Sequence, residues 1–275
     1  MGRTGDIAAT KAFGAQVDFG RAAFDYRQHR AGFPDRFFDE LAGQIDLSAG
    51  VAALDIGTGT GTVARGLARR GCTVVGIDPA PALLDQAIEI DHEEPLGIAY
   101  RDGRAEALDF EGDSFDVVTA GQCWHWFDRT RAAAEAFRVL RPGGALIIAH
   151  FDWIPLPGNV VADTEKLILE ANPAWTMGGG TGLYPQWLAD LSQAGFTELK
   201  TCSFDVVQPY SHEAWRGRIR ASAGIKASLD PAATDEFDVR LRAMLNANYP
   251  DDPLQVPHRV WWAMGTRVAE HLPPS

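Results

Sequence analysis

Tryptophan is missing from the first 123 residues of this 275-residue chain; all eight copies, at 124, 126, 153, 175, 187, 215, 261 and 262, come later. Cysteine is scarce as well. Cys72, Cys123 and Cys202 are odd in number, widely spaced and without the C-x-x-C rhythm, which argues against both a disulfide framework and a structural zinc site. Positive charge is short, with 25 Lys and Arg against 37 Asp and Glu and a formal charge of −12. Such a surface suits neither nucleic acid nor an acidic membrane, because both need basic side chains gathered against phosphate. No apolar run reaches transmembrane length. The start, "MGRTGDIAATKAFG", has no signal-peptide core, and Asp6 stands where a myristoylation motif wants Ser or Thr. The expectation is a soluble cytoplasmic protein. Also absent are H-E-x-x-H, P-loop and G-x-S-x-G patterns, so zinc hydrolysis, phosphoryl transfer and the hydrolase elbow lose support, and no metal is expected.

What is present is alternation. "VAALDIG", "GTVARGLARRG", "CTVVGID", "APALLDQAIEI", "GIAYRDG", "SFDVVTAG", "DRTRAAAEAFRVL" and "GGALIIAHF" follow one another from about residue 50 to 150. Short apolar runs alternating with amphipathic ones mean βαβ units, a parallel sheet covered on both faces and a doubly wound α/β architecture. Residues 1–45 read as a helical flap broken at "GFP", and 46–150 as the ligand-binding core. Residues 151–275 read as lid helices plus two late strands: helices "VVADTEKLILEA" and "QWLADLSQAG", strand "ELKTCSFDVVQPY", a mostly helical block from Ser211 to Asn248, and strand "VPHRVWWAMGTRV".

The core opens on "LDIGTGTGT", with glycines at 57, 59 and 61 and Thr62 where a dinucleotide fingerprint would place its third glycine. Asp55 ends the strand before the loop. A carboxylate there is poorly placed beside a pyrophosphate and well placed to accept hydrogen bonds from a cationic amino group. The next strand ends in Asp78, where an acid can accept both hydroxyls of a ribose. Adenosine at one end and a charged amino acid at the other describe S-adenosylmethionine.

"LDIGTGTG", "VVGIDPAPALLDQA", "GRAEALDFEGDSFDVV", "QCWHWFD" and "FRVLRPGGALIIA" together resemble the class I S-adenosylmethionine-dependent methyltransferases. The likeness is to the small-molecule group that includes ubiquinone/menaquinone-pathway and trans-aconitate methyltransferases. It implies a Rossmann-like seven-stranded sheet with a reversed last strand and helical lid insertions. It also implies that Asp55, Gly57 and Gly59 line the methionine portion of the cofactor and Asp78 meets the ribose, with Thr58 and Pro79 among the cofactor-binding residues. Ala105 and Glu106 would lie at the adenine edge, with Gln122 near the reactive end. Many relatives have Asp where this chain has Arg104, so either backbone near Ala105 reads the adenine alone or Arg104 covers the ring. Tyr26 and Arg30, in "FDYRQHRAGFP", either close over the cofactor, with Arg30 pairing with its carboxylate or an acidic substrate, or belong to an amphipathic surface helix whose arginine is solvated.

Ligands of open α/β sheets sit beyond the carboxyl ends of the strands, which brings forward His125 after the fourth strand and His150 at the end of the fifth. Either histidine could remove a proton from an acceptor hydroxyl or amine near neutral pH, and either could instead be a hydrogen-bonded structural residue. Cys123 has no partner arranged to ionise it. Trp126, Trp153, Trp175, Tyr184 and Trp215 are the candidate walls for a small apolar or aromatic acceptor. The leading expectation is methylation of a small molecule, more on oxygen than on nitrogen or carbon. The alternatives are a protein of the same fold that binds the cofactor without methyl transfer, and one that uses the bound sulfonium for another reaction. A nicotinamide-dependent dehydrogenase is disfavoured by Asp55 and Thr62.

Overall fold

The computed structural model describes residues 32–225 and 228–268; Tyr26 and Arg30, expected over the cofactor, lie outside them. A short helix α1 (Asp35–Ala42) leads into strand β1 (Ala52–Ile56), helix α2 (Thr62–Ala68), β2 (Thr73–Asp78), α3 (Pro81–Glu93), β3 (Ala99–Asp102) and β4 (Phe115–Gly121). A 3₁₀ turn over Trp124–Trp126 joins β4 to α4 (Arg129–Val139) and the long β5 (Leu140–Trp153). Then come α5 (Val160–Ala171), α6 (Trp187–Gln193), β6 (Thr197–Tyr210), α7 (His212–Arg220), α8 (Pro231–Asn248) and β7 (Leu254–Thr266).

The seven strands form one sheet in the order β3-β2-β1-β4-β5-β7-β6. The β1/β2, β1/β4, β2/β3 and β4/β5 pairs are parallel, as the alternation of strands and helices requires. The last strand is reversed. Its direction shows in the backbone: Gly143 N–H donates to Arg267 O at 2.6 Å, while Ile154 N–H donates to Pro257 O at 2.9 Å, so numbers rise on β5 as they fall on β7. Interior strands covered on both faces carry unbroken apolar runs. Hence all residues from Ala145 to Phe151 of β5 are buried, His150 among them. The same position between two neighbours buries both Trp261 and Trp262 of β7, although alternation sends them to opposite faces.

The chain divides into two compact units. One comprises Gly32–His150, Tyr184–Ser203 and the segment from Trp261 on; the other contains Phe151–Leu183 and Phe204–Val260. The core of the first runs from Leu54, Ile56 and Val118 through Trp124, Leu146 and Ile148 to Trp187 and Trp261. That of the second gathers Val161 and Ile168 of α5, Trp175 of the loop that follows it, Trp215 of α7, and Phe237 and Leu241 of α8. Its helices start where side chains satisfy the first free amides. Asn159 caps α5 by accepting from Ala162 N–H at 2.9 Å, and Asp230 caps α8 by accepting from Ala233 N–H at 2.9 Å, with Pro231 at the first helical position.

Two of the expected acceptor walls lie in this second core. Trp215 is fully buried, its indole N–H given to Thr164 Oγ1 at 3.1 Å, and Trp175 is 4% exposed in the same cluster. Both rings belong to the core cluster of the second unit. Trp153 is half-buried among them, with its indole N–H donated to Glu165 at 2.8 Å and the Arg218 guanidinium 4.7 Å over its ring.

Candidate active site

The glycine loop follows β1, and its shape is set from beneath by two acids. Register pairs Asp55 of β1 with Thr119 of β4. Paired positions face the same side of a sheet, and the Thr119 hydroxyl donates to Asp55 Oδ1 at 2.7 Å. The Thr58 hydroxyl donates to Asp55 Oδ2 at 2.7 Å. Asp55 is 2% exposed, and burial pushes its carboxyl up to about 6 against the opposing pull of the Thr58 and Thr119 hydroxyls. Asp78, at the end of β2, accepts from Gly59 N–H at 2.9 Å and from Ala80 N–H at 2.9 Å. Burial raises its carboxyl above the usual range, while those two amides hold it down. A carboxylate offers about four acceptor sites, so Asp78 with two amides bound retains capacity for a ribose.

The loop must be glycine where it touches its neighbours. A Cβ on Gly57, whose φ is +66°, would stand 2.8 Å from Cys123 Sγ and 3.0 Å from the Phe127 ring. One on Gly61, at φ +79°, would stand 2.3 Å from the Tyr100 hydroxyl. The first of these contacts seats the glycine loop directly against the loop after β4. That second loop is fixed in turn: Cys123 S–H donates to Ile56 O at 3.2 Å, and Asp128 N–H donates to Glu106 Oε1 at 3.0 Å. Gln122 enters it with φ +61°, a left-handed backbone that a non-glycine residue adopts at some cost and often at functional positions.

Beyond this loop the two candidate histidines stand together. The rings of His125 and His150 are 5.2 Å apart; Trp126 lies 4.5 Å from His125, and Tyr184 and Trp187 lie 4.4 and 4.8 Å from His150. Tyr184 and Trp187 stack at 4.2 Å and 4°. His150 is 2% exposed, whereas His125, Trp126 and Tyr184 are half-buried. Ala105 is buried, but Arg104 extends into solvent, with its guanidinium 3.7 Å from Glu106, and Glu106 spends an oxygen on the start of α4. Pro79 is exposed beside Asp78.

The residues fit S-adenosylmethionine by their chemistry. Buried acids lie under a glycine loop too tight for side chains, Asp78 with acceptor capacity to spare, and two histidines stand together, His125 on the loop after β4 and His150 on β5. Sequence reasoning missed Thr119, Trp187 and Asp190. For Thr119 the signal was present, a hydroxyl inside the apolar run of β4; for the other two, long-range packing decides. Among the described residues no group of three or more His, Cys, Asp or Glu could hold a metal ion, and no helix is long and apolar enough to cross a membrane.

Sheet order and loop define a Rossmann-like α/β protein whose glycine loop after β1 is braced by the acid that ends β2. A model of the methyltransferase domain matches residues 54–148. The chain is 31% identical over 215 residues to the 27-O-demethylrifamycin SV methyltransferase of Amycolatopsis mediterranei, covering 75% of each protein. It is 38% identical over 151 residues to an uncharacterised methyltransferase of Mycobacterium tuberculosis, covering 53% of this chain and 59% of that one, so it spans less than two thirds of that relative's length. Two solved structures share the fold. A provisionally assigned type II methyltransferase of Anaeromyxobacter dehalogenans gives a TM-score of 0.62 at 24% identity, over 88% of this chain and 99% of that one. The phosphoethanolamine N-methyltransferase 2 of Haemonchus contortus, in complex with phosphomonomethylethanolamine and S-adenosylhomocysteine, gives 0.55 at 20%, over 90% and 57%. The chain belongs to the S-adenosylmethionine-dependent methyltransferases.

Proposed function

We propose that the chain moves the methyl group of S-adenosylmethionine to a hydroxyl oxygen of a small, largely apolar or aromatic acceptor, with His125 as general base. The observation that carries this reading is the seating of the glycine loop against the His125 loop, through Gly57 and Cys123, with the His125 and His150 rings 5.2 Å apart. Asp78 holds the ribose, Asp55 braces the loop and sets a negative field under the amino group, and Ala105 backbone reads the adenine with Arg104 and Glu106 at its rim. Thr58 and Gln122 shape the loop around the reactive end. Half-buried Trp126 and Tyr184 supply aromatic walls beside the histidines. The cofactor supplies an activated methyl on a sulfonium. The protein's part is to align the acceptor and take its proton onto His125 as the new oxygen–carbon bond forms and the carbon–sulfur bond breaks. An oxygen acceptor is supported by the likeness to the Amycolatopsis relative, a 27-O-demethylrifamycin SV methyltransferase.

The test uses a panel of phenols and hydroquinones with S-adenosylmethionine and follows S-adenosylhomocysteine. His125→Ala lowers turnover by roughly 10²- to 10⁴-fold and leaves cofactor affinity intact. Unchanged turnover at saturating acceptor would return His125 to a packing role.

A further inference from the structure

Asp190 lies on α6, apart from the glycine loop and the histidine pair, and has been given no work so far. Its Oδ2 accepts two hydrogen bonds, from the indole Nε1–H of Trp124 at 2.9 Å and from Nη1–H of Arg129 at 3.3 Å. These donors flank His125, one directly before it and the other four residues after. Trp124 is fully buried and the Asp190 side chain is 17% exposed. The helix that carries Asp190 starts at Trp187, whose ring stacks on Tyr184 and packs on His150. One short helix therefore touches both members of the pair: His150 through Trp187, and the His125 loop through Asp190.

We propose that Asp190 is a positioning residue for methyl transfer, tying both ends of the Trp124–Arg129 loop to α6 so that His125 stays beside His150. The proposal rests on the reading of His125 as base. The partly exposed Arg129–Asp190 pair contributes little by itself, because solvent screens it. The indole arm matters more. A fully buried Trp124 N–H that loses its acceptor has no water to turn to, so the loop moves to satisfy it. A displacement of the base by about 1 Å suffices to lower a rate by roughly 100-fold. Cys123 and Asp128 are held independently, by Ile56 O and by Glu106, and the glycine loop keeps its own brace through Asp55 and Asp78. Loss of Asp190 thus releases the Trp124 side chain and the His125 turn between those two anchors while leaving the cofactor cradle whole.

The experiment is performed on the full chain labelled at histidine, by NMR, with S-adenosylhomocysteine affinity measured calorimetrically on the same samples. Wild type shows a cross-ring contact between His125 and His150, assigned with His125→Ala. Asp190→Ala and Trp124→Phe lose that contact and keep the affinity. Asp190→Asn, whose amide oxygen still accepts from Trp124, retains the contact and guards against a variant that fails to fold. Persistence of the contact in Asp190→Ala overturns the proposal. So does its loss together with loss of S-adenosylhomocysteine binding, which would make Asp190 a residue of the fold alone. Failure of His125 as a base is read separately, from turnover of His125→Ala.

Discussion

Replacing Asp55 with Asn makes this protein more stable near neutral pH and worse at its work. Asp55 is 2% exposed and has no cation beside it among the bonds that fix it; its two oxygens face the hydroxyls of Thr58 and Thr119. Its carboxyl lies at about 6 in the folded chain, against 3.8 for the ordinary group. A raised acid binds its proton more tightly when folded, so its contribution to stability is greatest below the unfolded value and is lost as pH rises through about 6. Two units correspond to about 3 kcal/mol in total, of which about 1.4 kcal/mol disappears between pH 5 and pH 8. Asn at this position carries no charge to desolvate. It can accept from one threonine hydroxyl through Oδ1 and donate to the other oxygen through Nδ2, since a hydroxyl serves either way. Urea unfolding of wild type and Asp55→Asn at pH 5, 6, 7 and 8 measures the difference directly. The variant gains on wild type by about 1 to 1.5 kcal/mol across that range and loses affinity for S-adenosylmethionine, whose amino group no longer lies over a negative charge. Parallel pH profiles for the two proteins, or a variant that loses ground at pH 8, would refute the burial argument.

Asp78→Ala removes the acceptor of Gly59 N–H and Ala80 N–H together with the proposed ribose contact; calorimetry with S-adenosylhomocysteine shows binding weakened by about 1 to 3 kcal/mol, and an unchanged affinity would move the ribose elsewhere. Trp215→Ala empties a fully buried site and strips Thr164 of its indole donor. It lowers unfolding free energy by roughly 3 to 5 kcal/mol, read from denaturant midpoints, whereas a selective rise in the acceptor's KM with stability intact would restore Trp215 to the acceptor wall.

Strand and helix periodicity carried most of the fold. "VVADTEKLILEA" is α5 from first residue to last, and "VPHRVWWAMGTRV" overlaps β7 with a two-residue shift at each end. Those segments announce themselves because each has one period and clear breakers around it. The two acids under the glycine loop stand out for a similar local reason: Asp78 ends the apolar β2 and Asp55 is the last residue but one of the apolar β1. What Asp55 does there was not legible, since its bonds to Thr119 come from a register 64 residues away in the chain. Tryptophan was the poorest guide. Trp175 and Trp215 read as walls of a pocket, and both lie in the core cluster of the second unit: for Trp215 a helix face that buries an indole and one that offers it to a ligand have the same spacing, and Trp175 sits in a loop with no period to read. Asp190 gave no signal at all. It is one acid in an amphipathic helix until folding brings it to Trp124, 66 residues earlier.

The central claim is that the glycine loop braced by Asp55 and Asp78 holds S-adenosylmethionine and delivers its methyl group past His125. Mass spectrometry with S-adenosylmethionine carrying a trideuterated methyl tests it most directly. An acceptor from the phenol and hydroquinone panel is predicted to gain one trideuteromethyl group for each S-adenosylhomocysteine formed, with the yield collapsing in Asp78→Ala and His125→Ala. An acceptor transformed without gain of the label, by a protein shown calorimetrically to bind the cofactor, would contradict it.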